Sequence, residues 1–217
     1  RLTAECVAIA RAVYASLRGS AFAVRSSEEA LRLPGLGVAG KADRVDAAGG
    51  FVRVIDYKTG SFGAKPVSYY TGRSLQLELY LLAAAQGEKP AGAFYFPAQD
   101  KFSSEKDAKF RMEGFYCRDE EVMSLLDPSR AKKSAVFDSS PSSGMDAEEF
   151  AAFLGYADKV VRRAQEELRG GNISPSPYAG ECAYCAFRGA CGFVGTERSE
   201  KDISCAEIAR IAAKEGV

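Results

Sequence analysis

Apolar residues fall at mixed spacings of three and four through Ala4, Val7, Ile9, Ala10, Val13, Tyr14 and Leu17. This is the pattern of an amphipathic helix over residues 3–18, stopped by Gly19. The period then shortens. Phe22 to Val24 and Val38 to Val45 read as short strands, and Phe51 to Lys58 is a β-rich run set off by Ala47-Ala48-Gly49-Gly50, which predicts a hairpin. Leu75 to Ala85 is a strongly apolar helix, Ala93 to Pro97 a short buried strand, and Phe110 to Cys117 a further strand candidate. Residues 98–109 and 128–145 are rich in Ser, Lys and Asp and are expected to be mobile surface loops. Asp146 with Glu149 forms a potential capping box, opening a helix that runs to about Leu168 and ends at Gly170-Gly171. A Cys-rich segment follows, then a terminal helix over 202–214. No internal repeat is visible. The elements predict a single α/β domain of 217 residues, with its core at about 20–118 and a helix plus Cys-rich segment at about 146–195.

Composition narrows the chemistry. Apolar residues make up 47% of the chain, enough for a full core, and no run approaches the roughly 20 apolar residues of a membrane span. No secretory signal is evident, so the expected location is the cytoplasm and no membrane partner is expected. The chain opens on Arg1, and the expectation is a piece of a longer protein. The 29 Lys and Arg balance the 29 Asp and Glu, so any nucleic-acid contact must be local rather than driven by a global positive field. The absence of His excludes every mechanism that needs an imidazole base.

Side chains on a strand alternate faces, so Asp56 and Lys58 share the face of Val52 and Val54. The hairpin partner can bring Asp43 alongside Asp56, and two carboxylates at one place repel unless a cation lies between them. Magnesium, or manganese in its place, suits such a site. It takes one or two carboxylates, keeps several waters and accepts phosphate oxygens, here through Asp43, Asp56 and the backbone carbonyl of Tyr57. Lys58 can then orient or help deprotonate an attacking water, or hold charge that grows on phosphate oxygens. An ordinary ion pair at a strand end is the alternative for Asp56 and Lys58. Gln76 and Tyr80, four apart, lie on one helix face, where a capping amide and a core aromatic are the bland reading.

The series Gly-Lys-Ala-Asp-Arg-Val-Asp (40–46), Val-Ile-Asp-Tyr-Lys-Thr-Gly (54–60) and Gln76 with Tyr80 resembles the RecB-like branch of the PD-(D/E)xK nucleases. That resemblance implies a restriction-endonuclease-like α/β fold, a mixed central sheet flanked by helices. It makes Asp43 and Asp56 metal ligands and Lys58 the catalytic lysine, with Gln76 and Tyr80 organising the lysine or contacting DNA. Some relatives carry an upstream His as a further ligand; here Glu28, Glu29 or water would fill that place. Arg44 and Arg73 are candidate phosphate contacts, since guanidinium groups fork onto phosphate, with solvated surface arginines as the alternative.

Cys182, Cys185 and Cys191 form C-x2-C-x5-C, interleaved with Phe187 and Phe193, and three thiols so close imply a soft metal centre. Spacing alone favours zinc. However, a nuclease core followed by a helix and this spacing resembles the C-terminal nuclease domain of AddB subunits of bacterial helicase–nucleases, where such cysteines hold a [4Fe-4S] cluster. Met112 to Val122 is similar to the segment between core and cluster in that family. There the fourth cysteine lies well upstream in a setting that Cys6 lacks, so the cluster is expected to be incomplete or absent in this chain. Cys117 and Cys205 read as small apolar residues.

The resemblance implies a metal-dependent DNA exonuclease domain acting in double-strand-break repair and recombination beside an AddA-type subunit. ATP use would belong to the partner helicase, because no G-x-x-x-x-G-K-[ST] loop occurs here. Two rivals remain at this point: a vestigial DNA-binding or scaffolding domain, and a free-standing RecB-like or CRISPR-associated nuclease.

Overall fold

The computed structural model describes residues 2–60, 62–99, 110–131 and 133–214, with the side chain of Leu2 left out. Its elements are α1 (Leu2–Arg18), β1 (Ala23–Leu33), β2 (Val38–Ala48), β3 (Phe51–Lys58), α2 (Pro66–Tyr70), α3 (Gln76–Ala84), β4 (Lys89–Pro97), β5 (Glu113–Cys117), α4 (Glu120–Leu126), β6 (Gly144–Met145), α5 (Ala147–Arg169), α6 (Arg188–Cys191) and α7 (Cys205–Lys214). The strands form one six-stranded sheet in chain order. Pairings β1–β2, β2–β3 and β4–β5 are antiparallel, whereas β3–β4 and β5–β6 are parallel. The expected mixed sheet flanked by helices is therefore present.

The hairpin joining β2 to β3 turns on Gly49 and Gly50 at φ +57° and +81°, a left-handed pair open to glycine and costly to other residues. In β3, Val52, Val54 and Ile55 are fully buried beside β4, whose Ala91 to Pro97 run is buried throughout. Strands with neighbours on both sides and layers above and below are apolar without alternation for this reason. Helix α3 lies against β3 and β4, burying Leu77 and Leu81, and α5 packs against α3 and α7. The Asp146–Glu149 capping box that opens α5 is formed in both directions. The Tyr69 ring of α2 packs tilted against Phe153 of α5 with centroids 4.4 Å apart, joining the two helices.

Several elements exceed their expected lengths. Strand β1 extends to Leu33 because it pairs along nearly the whole of β2, although its own side chains are mostly exposed and carry little apolar signal. Strand β4 starts at Lys89 rather than Ala93. The 128–145 segment is not a free loop: Val136 and Phe137 are buried, Met112 bridges to Phe137, and Gly144-Met145 supplies a sixth strand. Sparse apolar residues in a polar segment hid that packing. In the expected 98–109 loop, residues 100–109 lie outside the described residues. Among the described residues no helix is long and apolar enough to cross a membrane.

Candidate active site at the open end of the hairpin

The β2–β3 ladder runs from Ala48↔Phe51 to Arg44↔Ile55 and stops there, so residues 56–58 of β3 pair only with β4. At this one-sided strand end the Asp43 carboxylate accepts a hydrogen bond from the Tyr57 amide at 2.8 Å. Asp56 is buried, and Lys58 Nζ stands 2.6 Å from its Oδ2 in an ion pair. That buried oxygen has no further partner among the described residues. Burial pushes the Asp56 carboxyl above its ordinary value, Lys58 opposes this, and the charge of Asp43 adds to the rise. For Lys58, burial works against the charged form, but the polar contact and charge of Asp56 outweigh it and raise its pKa.

Helix α3 begins beside the lysine. Gln76 Oε1 accepts from Lys58 Nζ at 3.3 Å, and Gln76 Nε2 donates to Tyr80 Oη at 3.4 Å. Tyr80 lies against the backbone of Gly40, where a β-carbon would fall 2.5 Å from Cε1. The lysine also stands 5.1 Å from the centroid of Tyr95, whose hydroxyl is 3.3 Å from Ser74 Oγ. The expected residues Asp56, Lys58, Gln76 and Tyr80 are thus brought together as a connected chain of side chains, and Asp43 joins them through the Tyr57 amide. An oxygen-only pair, one of whose buried atoms has no partner besides the Lys58 ammonium, fits a hard divalent cation that completes its shell with water and phosphate. Such an ion would be held by Asp43 and Asp56. Glu28 and Glu29 are engaged elsewhere, Glu28 with Lys41 and Glu29 with Arg25 and Ser26.

The two arginines expected to contact phosphate are both engaged by carboxylates, one inside the sheet and one at the surface. Arg44 is buried, with Nε 2.9 Å from Asp46 Oδ1 and Nη1 donating to Tyr57 Oη at 2.6 Å. A guanidinium inside the sheet has no free face for DNA. Arg73 ties the α2–α3 connection to the Cys-rich segment through Glu181 at 3.0 Å and through Glu200, with its guanidinium 5.1 Å from the Tyr178 ring. Sequence reading missed Asp46, Arg53 and Glu78. Asp46 and Arg53 are fully buried and paired at 2.9 Å on the sheet face opposite Asp56. Arg53 within Val52-Arg53-Val54-Ile55 was a visible signal, since an arginine flanked by buried β-branched residues must find a carboxylate. Burial lowers its pKa to about 10 against the pull of Asp46, so it remains charged at neutral pH.

Cys182, Cys185 and Cys191 line one cavity of about 640 Å³ with Pro175, Pro177 and Phe193. Burial, followed by the hydrogen bond and charge of Glu197, raises the Cys182 thiol. Among the described residues no three His, Cys, Asp or Glu side chains gather in metal-binding geometry. These thiols are neighbours, not a formed ligand set. Cys117 and Cys205 are buried, in keeping with a packing role.

A six-stranded mixed sheet with two carboxylates and a lysine at one strand end defines a nuclease of the restriction-endonuclease kind. Residues 3–192 match the PD-(D/E)XK nuclease superfamily, and the chain belongs to it. Its sequence is similar to the B-type subunit of the ATP-dependent helicase/deoxyribonuclease from Alkaliphilus metalliredigens (28% identical over 71% of this chain and 17% of that protein). It is likewise similar to the corresponding subunits from Symbiobacterium thermophilum (29%, 74% and 17%) and Lachnoclostridium phytofermentans (30%, 73% and 17%). The chain therefore spans about one sixth of the length of these relatives.

Proposed function

We propose that this chain is the metal-dependent DNA exonuclease domain of an AddB-type helicase–nuclease subunit, working with an AddA-type partner in cytoplasmic double-strand-break repair and recombination. The observation that carries the reading is the meeting of Asp43, Asp56 and Lys58 at a strand end left open on its β2 side. A magnesium or manganese ion held by Asp43, Asp56 and the Tyr57 carbonyl would supply Lewis acidity toward a phosphate oxygen and a water of lowered pKa. The chain's own residues do the rest. Gln76 holds the Lys58 ammonium at the mouth of the site. An ammonium has three donors, so one can reach a phosphate oxygen or the attacking water while Asp56 and Gln76 occupy the others. Tyr80 fixes Gln76 in turn. Hydrolysis then breaks the P–O bond to the leaving nucleotide, with the water oxygen bonded to phosphorus and its proton passed to solvent or to the leaving oxygen.

Asp56→Ala tests the assignment. Mg2+-dependent degradation of linear DNA should fall about 10³-fold or more, the scale of several kcal/mol of charge stabilisation. Unchanged cleavage would place the chemistry elsewhere, and an inert wild type that still binds DNA would favour the vestigial reading. For the cysteines, the proposal is that Cys182, Cys185 and Cys191 hold a [4Fe-4S] cluster in the longer protein, completed by a fourth thiolate that draws them together. No step of the cleavage passes through that group.

A further inference from the structure

The carboxylate site is built where its strand loses half its support. Beyond Arg44↔Ile55 no backbone ladder joins β2 to β3, yet Asp43 on one strand and Asp56 on the other must keep a fixed separation. Two side-chain bonds close this gap, and both end on Tyr57, the residue between Asp56 and Lys58. On the β2 side its amide donates to the Asp43 carboxylate at 2.8 Å. On the opposite face its hydroxyl accepts from Arg44 Nη1 at 2.6 Å. Arg44 is itself immobile. Asp46 grips it at Nε (2.9 Å) and Nη2 (3.1 Å), and the same carboxylate holds Arg53, whose Nη1 donates to Ser20 Oγ at 3.1 Å. Arg53 also lies 4.8 Å from the centroid of Phe22, so the network is anchored to the connection between α1 and β1.

We propose that Tyr57 and Arg44 are positioning residues, a strut behind the sheet that sets the Asp43–Asp56 spacing and hence divalent-cation affinity. Two arginines on one carboxylate are a poor choice for mere stability, because burial of the excess positive charge is costly. Tyr57 relieves part of that cost, since its hydroxyl gives Arg44 a polar partner. The arrangement uses the buried charge to hold a strand end that the ladder does not. The inference rests on the proposed metal role of Asp43 and Asp56.

Tyr57→Phe removes only the hydroxyl and keeps the ring that packs edge-on against Phe96 at 5.4 Å. Mn2+ binding, titrated calorimetrically on the intact chain without DNA, is measured for wild type, Tyr57→Phe and Asp56→Asn, with circular dichroism confirming the fold of each. The strut predicts Mn2+ affinity about tenfold weaker in Tyr57→Phe, with nuclease rate recovered as Mn2+ is raised. A folded Tyr57→Phe that binds Mn2+ like wild type, while Asp56→Asn does not bind, overturns the strut and leaves the metal site standing. If wild type and Asp56→Asn bind alike, the underlying metal assignment fails instead. Arg44→Lys supplies a second reading: a lysine cannot grip Asp46 and Tyr57 together, so its Mn2+ affinity should fall as in Tyr57→Phe, and wild-type affinity in a folded Arg44→Lys counts against the strut.

Discussion

The two chemically loaded regions of this molecule are held by opposite means. At the sheet end, Asp56 is 4% exposed, and its neighbours are fixed by strands, by α3 and by the arginine network behind β3. In the Cys-rich segment, Tyr184 is 94% exposed, Phe187 75% and Val194 99%, while Cys185 and Cys191 are open to solvent. That segment is fastened by charge: Arg73 to Glu181 and Glu200, and Arg198 stacked 4.2 Å from the Tyr178 centroid. Hydrophobic burial organises the first region and does little for the second. The proposed nuclease site should therefore respond to changes in the core, and the cysteine segment to salt and to what binds its thiols.

The largest effect that would sharpen this contrast comes from Glu78, buried between Leu77 and Leu79 in α3 and facing Tyr69, Tyr95 and Cys205. Burial raises its carboxyl to about 8, with only its own backbone amide opposing. A raised carboxyl favours the protonated folded state. This contribution to stability is complete below about pH 4.5, where the unfolded chain also holds the proton, and is lost as pH climbs to about 8. The loss is on the order of 5 kcal/mol, at about 1.4 kcal/mol per pH unit. Denaturant melts across this window should show wild type weakening with rising pH and Glu78→Gln holding nearly flat. A wild-type curve as flat as that of the variant would refute the neutral buried acid.

Next in size is Gly40→Ala. The new β-carbon would meet the Tyr80 ring at 2.5 Å, so the ring must retreat and carry its hydroxyl away from Gln76. Overpacking of this kind costs about 1–3 kcal/mol. If Tyr80 supports Lys58 through Gln76, nuclease turnover should fall by about tenfold or more, while the cysteine segment keeps its protease resistance. Equal loss in both regions would mean that they are not independently held.

How legible each region was in the sequence follows from the same contrast. Asp43, Asp56, Lys58, Gln76 and Tyr80 could be read because two-residue and four-residue spacings put them on shared faces, and the structure links them as that spacing requires. Arg44 proved buried, and Arg73, although at the surface, is engaged by two carboxylates, because sequence shows a charge but not its partner. Asp46 waits two residues from Arg44, whereas Glu181 and Glu200 lie more than a hundred residues from Arg73. β6 and the buried Phe137 escaped notice because two or three apolar residues in a polar stretch have no period, and only the β5 edge gives them a place.

The smallest expected effect isolates the fastening itself. Arg73 has a side chain 27% exposed, and its two carboxylate partners are more exposed still, so its ion pairs contribute about 1 kcal/mol or less to global stability. Arg73→Ala should leave the midpoint of unfolding nearly unchanged. Its consequence is local, because removing one guanidinium releases Glu181, Glu200 and the Tyr178 face together. Limited proteolysis should then cut within residues 172–200 several times faster than in wild type, and raising salt should bring wild type toward the variant as the ion pairs are screened. Unchanged cleavage at low salt would show that the segment is held by packing after all, and the distinction between a buried site and a charge-fastened one would fall.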